Sequence, residues 1–311
     1  MGYLLGGVLL LLLGFAAWVN LSPFPKYEPK SLAVVVPTDS ISLAQGRKIV
    51  ETECVNCHLG DDGKLSGRLF SPASGPFGEF WSRNITRHPE KGIGAYTDGE
   101  LAYLFRTGIK RNGEWAGPYM TNPNLSDADL GAVIAYLRSD APLVQSSESD
   151  PPAPKYSFLA KALVKLGAFA PKFYDIKPVV APPASDQLAY GKYLATARYA
   201  CYRCHSASFE TNDDFTPENS KGYFGGGNLI EDTEFKPTPS SNLTMSKVHG
   251  LGNWTEAQFA MAVRTGARPD GKMLSPSMPR FGLLNDEETG AIWAYLQTVP
   301  VLDNDVVTAG K

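Results

Sequence analysis

The chain reads Cys54-Val55-Asn56-Cys57-His58 and, later, Cys201-Tyr202-Arg203-Cys204-His205, and these two pentapeptides contain all four of its cysteines. Cys-x-x-Cys-His is the attachment signal of c-type haem. Two thiols at this spacing can each add to a vinyl group of one porphyrin, and the histidine that follows can ligate the iron. A zinc site would need more thiolates or histidines at ligand spacing, and a thioredoxin-type redox pair has no need of the histidine.

These two pentapeptides, the first and second haem motifs, therefore predict two covalently bound haem c groups. One is attached through Cys54 and Cys57 and the other through Cys201 and Cys204, with His58 and His205 as the iron ligands. The 311 residues are enough for two ordinary domains and their connections. A net charge of −3, with no basic stripe that includes aromatic residues, argues against a nucleic-acid partner.

Near the start of the chain, Tyr3 to Val19 form a run of 17 apolar or small residues. This length is at the lower limit for a helix that crosses a membrane. No basic residue precedes the run, and Trp18-Val19-Asn20 lacks the small residues of a signal cleavage site, so an uncleaved anchor is favoured over a cleaved signal. Lys26 and Lys30 follow the run and by the positive-inside rule would place the rest of the chain in the cytoplasm. Haem attachment outweighs that rule, because c-type haem is assembled on the far side of the bacterial inner membrane. We therefore expect an inner-membrane anchor with the haem domains in the periplasm.

The remainder is an internal duplication. Three short motifs that follow the first haem motif recur at a constant offset of 158 residues, and a Leu-Ala-x-Gly stretch precedes both haem motifs. The recurring motifs are Asn84-Ile85-Thr86 with Asn242-Leu243-Thr244, Gly92-Ile93-Gly94 with Gly250-Leu251-Gly252, and Arg106-Thr107-Gly108 with Arg264-Thr265-Gly266. The predicted organisation is an anchor (1–20), a Pro-rich stalk (21–39), a first domain (40–141), a linker (142–185), a second domain (186–302) and a tail (303–311). For the stalk, an arm packed on a partner is the alternative.

Helical patterns dominate both repeats. Residues Ser126–Arg138 begin on a good N-cap residue and place apolar side chains on one face, and the counterpart begins at Asn285 with Glu288 in a capping-box position. No alternating apolar run is long enough to suggest a sheet. The sequence therefore predicts an all-α protein.

The linker contains one amphipathic stretch. Its apolar residues Phe158, Leu159, Leu163 and Leu166 share a face, and its lysines point elsewhere. Two interpretations stay open. It is either a connector helix packed across the two domains or a segment that rests on the membrane surface or on a membrane-embedded partner.

The sixth iron ligand is predicted by the duplication. Met120 is the one methionine of the first repeat after the anchor, and Met278 is the one methionine of the second repeat at the matching offset of 158. Each follows a Pro-x step just ahead of a closing helix. Ligation by Met and His raises the haem potential and fills both axial positions, so such an iron passes electrons and does not readily bind peroxide.

Each half resembles a class I cytochrome c domain. The repeated run is similar to that of the membrane-anchored multihaem cytochrome subunits of periplasmic alcohol, gluconate and aldehyde dehydrogenases, over nearly all of residues 40–300. The resemblance implies an all-helical bundle around each haem. It also implies that Asn84, Asn242, Arg106 and Arg264 hold the haem propionates or the methionine-bearing loop, although each asparagine could instead cap its own turn. Those subunits commonly have three haem domains and a C-terminal anchor or tail, whereas this chain has two haem motifs and an N-terminal anchor.

Three functions are consistent with these features. The first is a membrane-tethered dihaem cytochrome that carries electrons between a periplasmic donor and a membrane or periplasmic acceptor, with redox proteins such as a dehydrogenase, quinol-oxidising or photosynthetic complex as partners. The second is a dihaem peroxidase, which needs an open iron position. The third is a docking subunit of a respiratory or photosynthetic complex.

Overall fold

The computed structural model describes residues 2–232 and 234–306, so the last part of the predicted tail, residues 307–311, lies outside the described residues. Helices are the predominant regular secondary structure of the described residues, which confirms a helix-rich fold but not the entirely α-helical one that the sequence predicts. Its α-helices are α1 (Gly2–Leu21), α2 (Ser40–Ile49), α3 (Val55–His58), α4 (Asp98–Thr107), α5 (Asp127–Arg138), α6 (Phe158–Lys165), α7 (Gln187–Tyr193), α8 (Cys201–His205), α9 (Glu256–Thr265) and α10 (Asp286–Leu296). Two segments are π-helical: Val50–Cys54, which ends on the first cysteine of the first haem motif, and Leu194–Arg198, which lies ahead of the second.

Short strands, which the sequence did not predict, occur in two places. β1 (Leu69–Ser71), β2 (Gly78–Trp81) and β3 (Lys155–Tyr156) form an antiparallel sheet in that order, and β4 (Leu229–Glu231) pairs with β5 (Pro237–Pro239). Each strand has only two to four residues, too few for the alternation by which a strand is recognised in a sequence.

The duplication is visible in the secondary structure. Helices α4 and α9 have the same length at the offset of 158, both begin with a capping box, and both end at a glycine with positive φ, Gly108 at 74° and Gly266 at 84°. These glycines adopt the left-handed conformation that ends a helix without a Cβ penalty. Isolated bridges pair Ile109 with Trp115 and, at the same offset, Ala267 with Met273.

Two compact units are present in the chain. The first unit consists of Met1–Ala33, Cys57–Thr121 and Pro142–Asp175, and its core includes Leu65, Leu101 and Val144, each at most 1% exposed. The Pro-rich segment is extended, and its backbone bonds to this unit through Tyr27 and Gly113 at 2.8 Å and through Leu32 and Gly99 at 3.1 Å.

The second unit consists of Val34–Asn56, Asn122–Ala141 and Ile176–Lys311. Two close helix crossings organise it. A Cβ added to Gly46 on α2 would lie 1.9 Å from the Ala132 carbonyl oxygen on α5, and one added to Gly191 on α7 would lie 1.9 Å from that of Ala291 on α10. Glycine is therefore required at both positions, which are equivalent in the repeated Leu-Ala-x-Gly stretch.

Candidate haem-attachment sites

The first haem motif lies on an unbroken helical segment. Asp39 caps α2 by accepting a hydrogen bond from Ser42 N at 2.9 Å, and α2 continues through the π-helical segment Val50–Cys54 into α3. Side chains three positions apart lie on the same side of such a segment. The helix therefore presents Cys54 and Cys57 on one side, which is the arrangement that addition to a single porphyrin needs.

The backbone that leads into the second haem motif is not a continuous helix. Helix α7 continues into the π-helical segment Leu194–Arg198, but the helix then breaks at Tyr199 and Ala200 before α8 begins at Cys201. Ala200 has φ 41° and ψ 39°, the left-handed region that residues with a Cβ rarely adopt. Strain of this kind is concentrated at functional sites.

Both histidines are held in the form that binds iron. His58 Nδ1 lies 2.6 Å from the carbonyl oxygen of Arg83, and His205 Nδ1 lies 2.8 Å from that of Ser241. A carbonyl only accepts hydrogen bonds, so each Nδ1 carries the proton and Nε2 keeps the lone pair for a metal. Each histidine is 7% exposed, and burial lowers the pKa of both imidazoles, which favours the neutral ligand.

The predicted asparagines shape the turns that present these carbonyls. Asn84 and Asn242 directly follow Arg83 and Ser241, and each asparagine Oδ1 accepts from the backbone N–H two residues later at 2.9 Å. Their amide nitrogens donate to carbonyls of the chain beyond the closing helix, Ser147 at 3.0 Å and Leu302 at 2.6 Å. This geometry favours a role in fixing the turn beside the histidine, and contact with the haem itself stays a prediction.

The four cysteines are each partly buried, and none of them forms a disulfide. Burial, together with the negative charge of Glu53, raises the pKa of the Cys201 thiol to about 12. A thiol with a high pKa stays protonated, which disfavours zinc binding and disulfide exchange. The fit to a haem rests on the Cys-x-x-Cys-His spacing and on the buried histidines that are bonded through Nδ1.

The two predicted methionines lie on loops ahead of the closing helices. Met120 ends the short 3₁₀ turn Pro118–Met120 and is partly buried. Met278 is partly buried and packs against the apolar core of the second unit, whereas Met273 is 61% exposed. The exposures favour Met278 over Met273 as the iron ligand of the second repeat.

The two predicted arginines differ in their surroundings. Arg106 is 2% exposed, and Arg264 donates to the Leu284 carbonyl oxygen at 2.8 Å and pairs with Asp286 at 2.7 Å. Leu284 and Asp286 join the Met278 loop to α10, so Arg264 fits the expected role of holding the methionine-bearing loop.

Two further side chains fit a bound haem but were missed in the sequence. Trp115 Nε1 is buried and has no hydrogen-bond partner among the described residues, so it is a donor available for an acceptor such as a haem propionate. Arg280 donates to the carbonyl oxygens of Met278 at 2.5 Å and Leu274 at 2.9 Å, which fixes the loop that carries Met278. Loop arginines and tryptophans give no periodic signal that would distinguish them.

A buried ionic cluster inside the second unit was also missed. The Arg198 guanidinium, three residues ahead of Cys201, binds both carboxylate oxygens of Asp129 on α5, at 2.8 and 3.2 Å, and lies 3.3 Å from Glu288 on α10. Lys48 on α2 lies 2.8 Å from the other oxygen of Glu288. Arg198, Asp129 and Glu288 have side chains at most 8% exposed. The cluster therefore ties the segment before the second haem motif to helices from both repeats.

Comparison with known proteins agrees with this picture. Residues 43–140 match the cytochrome c family. The chain is 29% identical to the gluconate 2-dehydrogenase cytochrome c subunit of Pantoea cypripedii, over 81% of the chain and 58% of that protein. It is 26% identical to the fructose dehydrogenase cytochrome subunit of Gluconobacter japonicus, over 83% of the chain and 53% of that protein.

A third relative matches along the whole length. The chain is 25% identical to a dihaem c-type cytochrome of Cereibacter sphaeroides, over 96% of the chain and 99% of that protein. By contrast, the chain spans a little over half the length of the gluconate and fructose dehydrogenase subunits. The resemblance found in the sequence motifs is thus confirmed: residues 43–140 match the cytochrome c family, and the chain is similar to cytochrome c subunits of dehydrogenases and to a dihaem c-type cytochrome.

Proposed function

We propose that this protein is a membrane-tethered dihaem c-type cytochrome that relays electrons, with one haem attached at each haem motif. One observation carries the proposal. Both motifs end in a buried histidine whose Nδ1 is bonded to a backbone carbonyl, from residues that are themselves 158 positions apart. Because this bond orients Nε2 and fixes the tautomer, it is the support that a permanent iron ligand needs.

The axial methionines of the proposed sites are Met120 and Met278. A haem c held between His and Met supplies a one-electron couple of raised potential. The chain's own part is to keep both ligands in place. The carbonyls of Arg83 and Ser241 orient the histidines, while Arg264 and Arg280 hold the loop that carries Met278. In the proposal none of these residues donates or accepts a proton during electron transfer.

The external partners and the location follow from the relatives and from α1. The relatives named above are cytochrome subunits of gluconate and fructose dehydrogenases, so a dehydrogenase is the proposed electron donor. Helix α1 has a mean hydropathy of 2.2 over its span and is almost wholly exposed, which suits an inner-membrane anchor with the haem sites in the periplasm.

Optical redox titration of the full-length protein tests the function. The proposal predicts two one-electron components, both low-spin in the oxidised and reduced forms, and no spectral change when hydrogen peroxide is added. A high-spin component that binds peroxide and turns it over would overturn the relay in favour of a dihaem peroxidase.

A further inference from the structure

Helix α6, the amphipathic stretch of the predicted linker, is attached to the last turn of α1 within the first unit. Lys165 Nζ donates to the Val19 carbonyl oxygen at 2.8 Å and also to that of Ser22. Lys161 Nζ lies 3.1 Å from Asn20 Oδ1. A cation at the carboxyl end of a helix stabilises the unpaired carbonyls and the negative end of the helix dipole.

Apolar contacts accompany these bonds. The rings of Phe15 and Phe158 meet edge to face, with centroids 6.2 Å apart, and the Lys165 ammonium lies 5.3 Å from the centre of the Phe24 ring. Val19 is 0% exposed, although most side chains of α1 are exposed. The end of α1 is therefore packed against α6.

Three of the four large residues on the apolar face of α6 remain exposed in the described part of the chain. Phe158 is 47% exposed, Leu159 49% and Leu166 62%, whereas the buried positions of the helix are the alanines 160 and 162. A connector helix packed between domains would bury its large apolar residues and expose its small ones. The reverse arrangement requires something else to cover this face.

The position of the face identifies what covers it. Trp18 and Leu21, at the end of α1, are 43% and 83% exposed, so the apolar surface of α1 continues into that of α6. Tryptophan at the end of a span, with lysines beside it, is typical of the level of the lipid headgroups. An amphipathic helix at that level lies in the interface plane with its apolar side chains below the headgroups.

We propose that α6 is an interfacial helix that inserts Phe158, Leu159 and Leu166 into the lipid surface beside the α1 span. The inference rests on the proposed membrane anchoring by α1 and adds a second membrane contact to it. This contact, about 140 residues further along the chain, holds the first unit against the bilayer and limits its rotation about the anchor.

Spin labels on the full-length holoprotein in phosphatidylcholine vesicles test the inference. Labels are placed at Leu159→Cys and Leu166→Cys, with Leu12→Cys in α1 as the anchor reference. Val248→Cys is the matched control, because Val248 is a 78% exposed apolar residue outside the first unit. Collision rates with oxygen, which concentrates in lipid, are compared with those of a water-soluble nickel chelate.

The measured quantity is the ratio of the collision rate with oxygen to that with the nickel chelate. We expect this ratio for labels at positions 159 and 166 to be at least threefold above that at position 248, and the ratio at position 12 to be higher still. A ratio at 159 and 166 equal to that at 248, with a high ratio at 12, would overturn the interfacial helix and leave the anchor in place. A low ratio at 12 would overturn the anchor itself, and the inference with it.

Discussion

The two haem motifs reach the same histidine geometry by different backbone paths. In the first half the helix runs from α2 to His58 without a break, whereas the second half breaks at Tyr199 and Ala200. The sequence offset explains the difference, because it is 145 between Gly46 and Gly191 but 147 between Cys54 and Cys201. Two additional residues in the second half are thus accommodated by one left-handed residue.

The difference teaches which part of the unit is constrained. After the motifs the offset is a constant 158, and the carbonyls of Arg83 and Ser241 bond to the histidines at 2.6 and 2.8 Å. Continuity of the helix is therefore dispensable, while the contact between the histidine and the Asn-x-Thr turn is kept in both halves.

The largest expected effects come from the two methionines. Met120→Ala and Met278→Ala should each abolish the sulfur-to-iron absorption of one haem and lower its potential, because Met ligation is what raises it. Met273→Ala is the matched control, since this methionine is 61% exposed, and it should leave both haems unchanged. Spectra and redox titrations of the three variants would check this.

Two outcomes would contradict the assignment for the second haem. Loss of its sulfur band in Met273→Ala but not in Met278→Ala would show that the offset of 158 misaligns the loops. A second-haem spectrum that is insensitive to both changes but altered by His249→Ala would show bis-histidine ligation at that site.

Arg198→Met should have the next largest effect. It leaves the buried carboxylate of Asp129 without its cation, a change that costs roughly 3–5 kcal/mol. Lys192→Met is the control, because Lys192 pairs with Glu218 on the surface and such pairs contribute about 0–1 kcal/mol. Guanidinium unfolding of both variants measures the difference. Equal stability losses would show that the cluster around Arg198 contributes little.

Ala200→Gly tests the comparison between the motifs most closely. Glycine removes the strain of the left-handed conformation, so the variant should be more stable by about 1 kcal/mol. Glu53 stands at the same place before the first cysteine of the first motif, but inside a helical segment. Glu53→Gly should therefore lower stability by about 1 kcal/mol. If both substitutions changed the stability in the same direction, the difference between the two backbone paths would be contradicted.

Much of the site could be predicted from the sequence because haem attachment is encoded in adjacent residues. The motifs, the repeats, the N-cap of α5 and the capping box of α10 are local patterns, and both helices were found as predicted. The ionic contacts of Arg198 with Asp129 and Glu288 have no local pattern, since the three residues meet only when the segment after α7 packs against α5 and α10.

The helix break at Ala200 leaves a signal in the sequence, but that signal can be interpreted only with the structure. The change in offset from 145 to 147 shows that two residues were inserted, but not whether the chain bulges, breaks or extends the helix. The short strands were missed for a related reason, because β3 pairs with β2 across more than 70 residues of sequence.

The central claim is that each haem motif carries its own covalent haem, and intact mass of the denatured full-length protein tests it most directly. The account predicts the mass of the chain plus two haems, falling by one haem in Cys54→Ala/Cys57→Ala and by one haem in Cys201→Ala/Cys204→Ala. A parent mass that includes one haem or none, or a double-cysteine variant that keeps two haems, would contradict it.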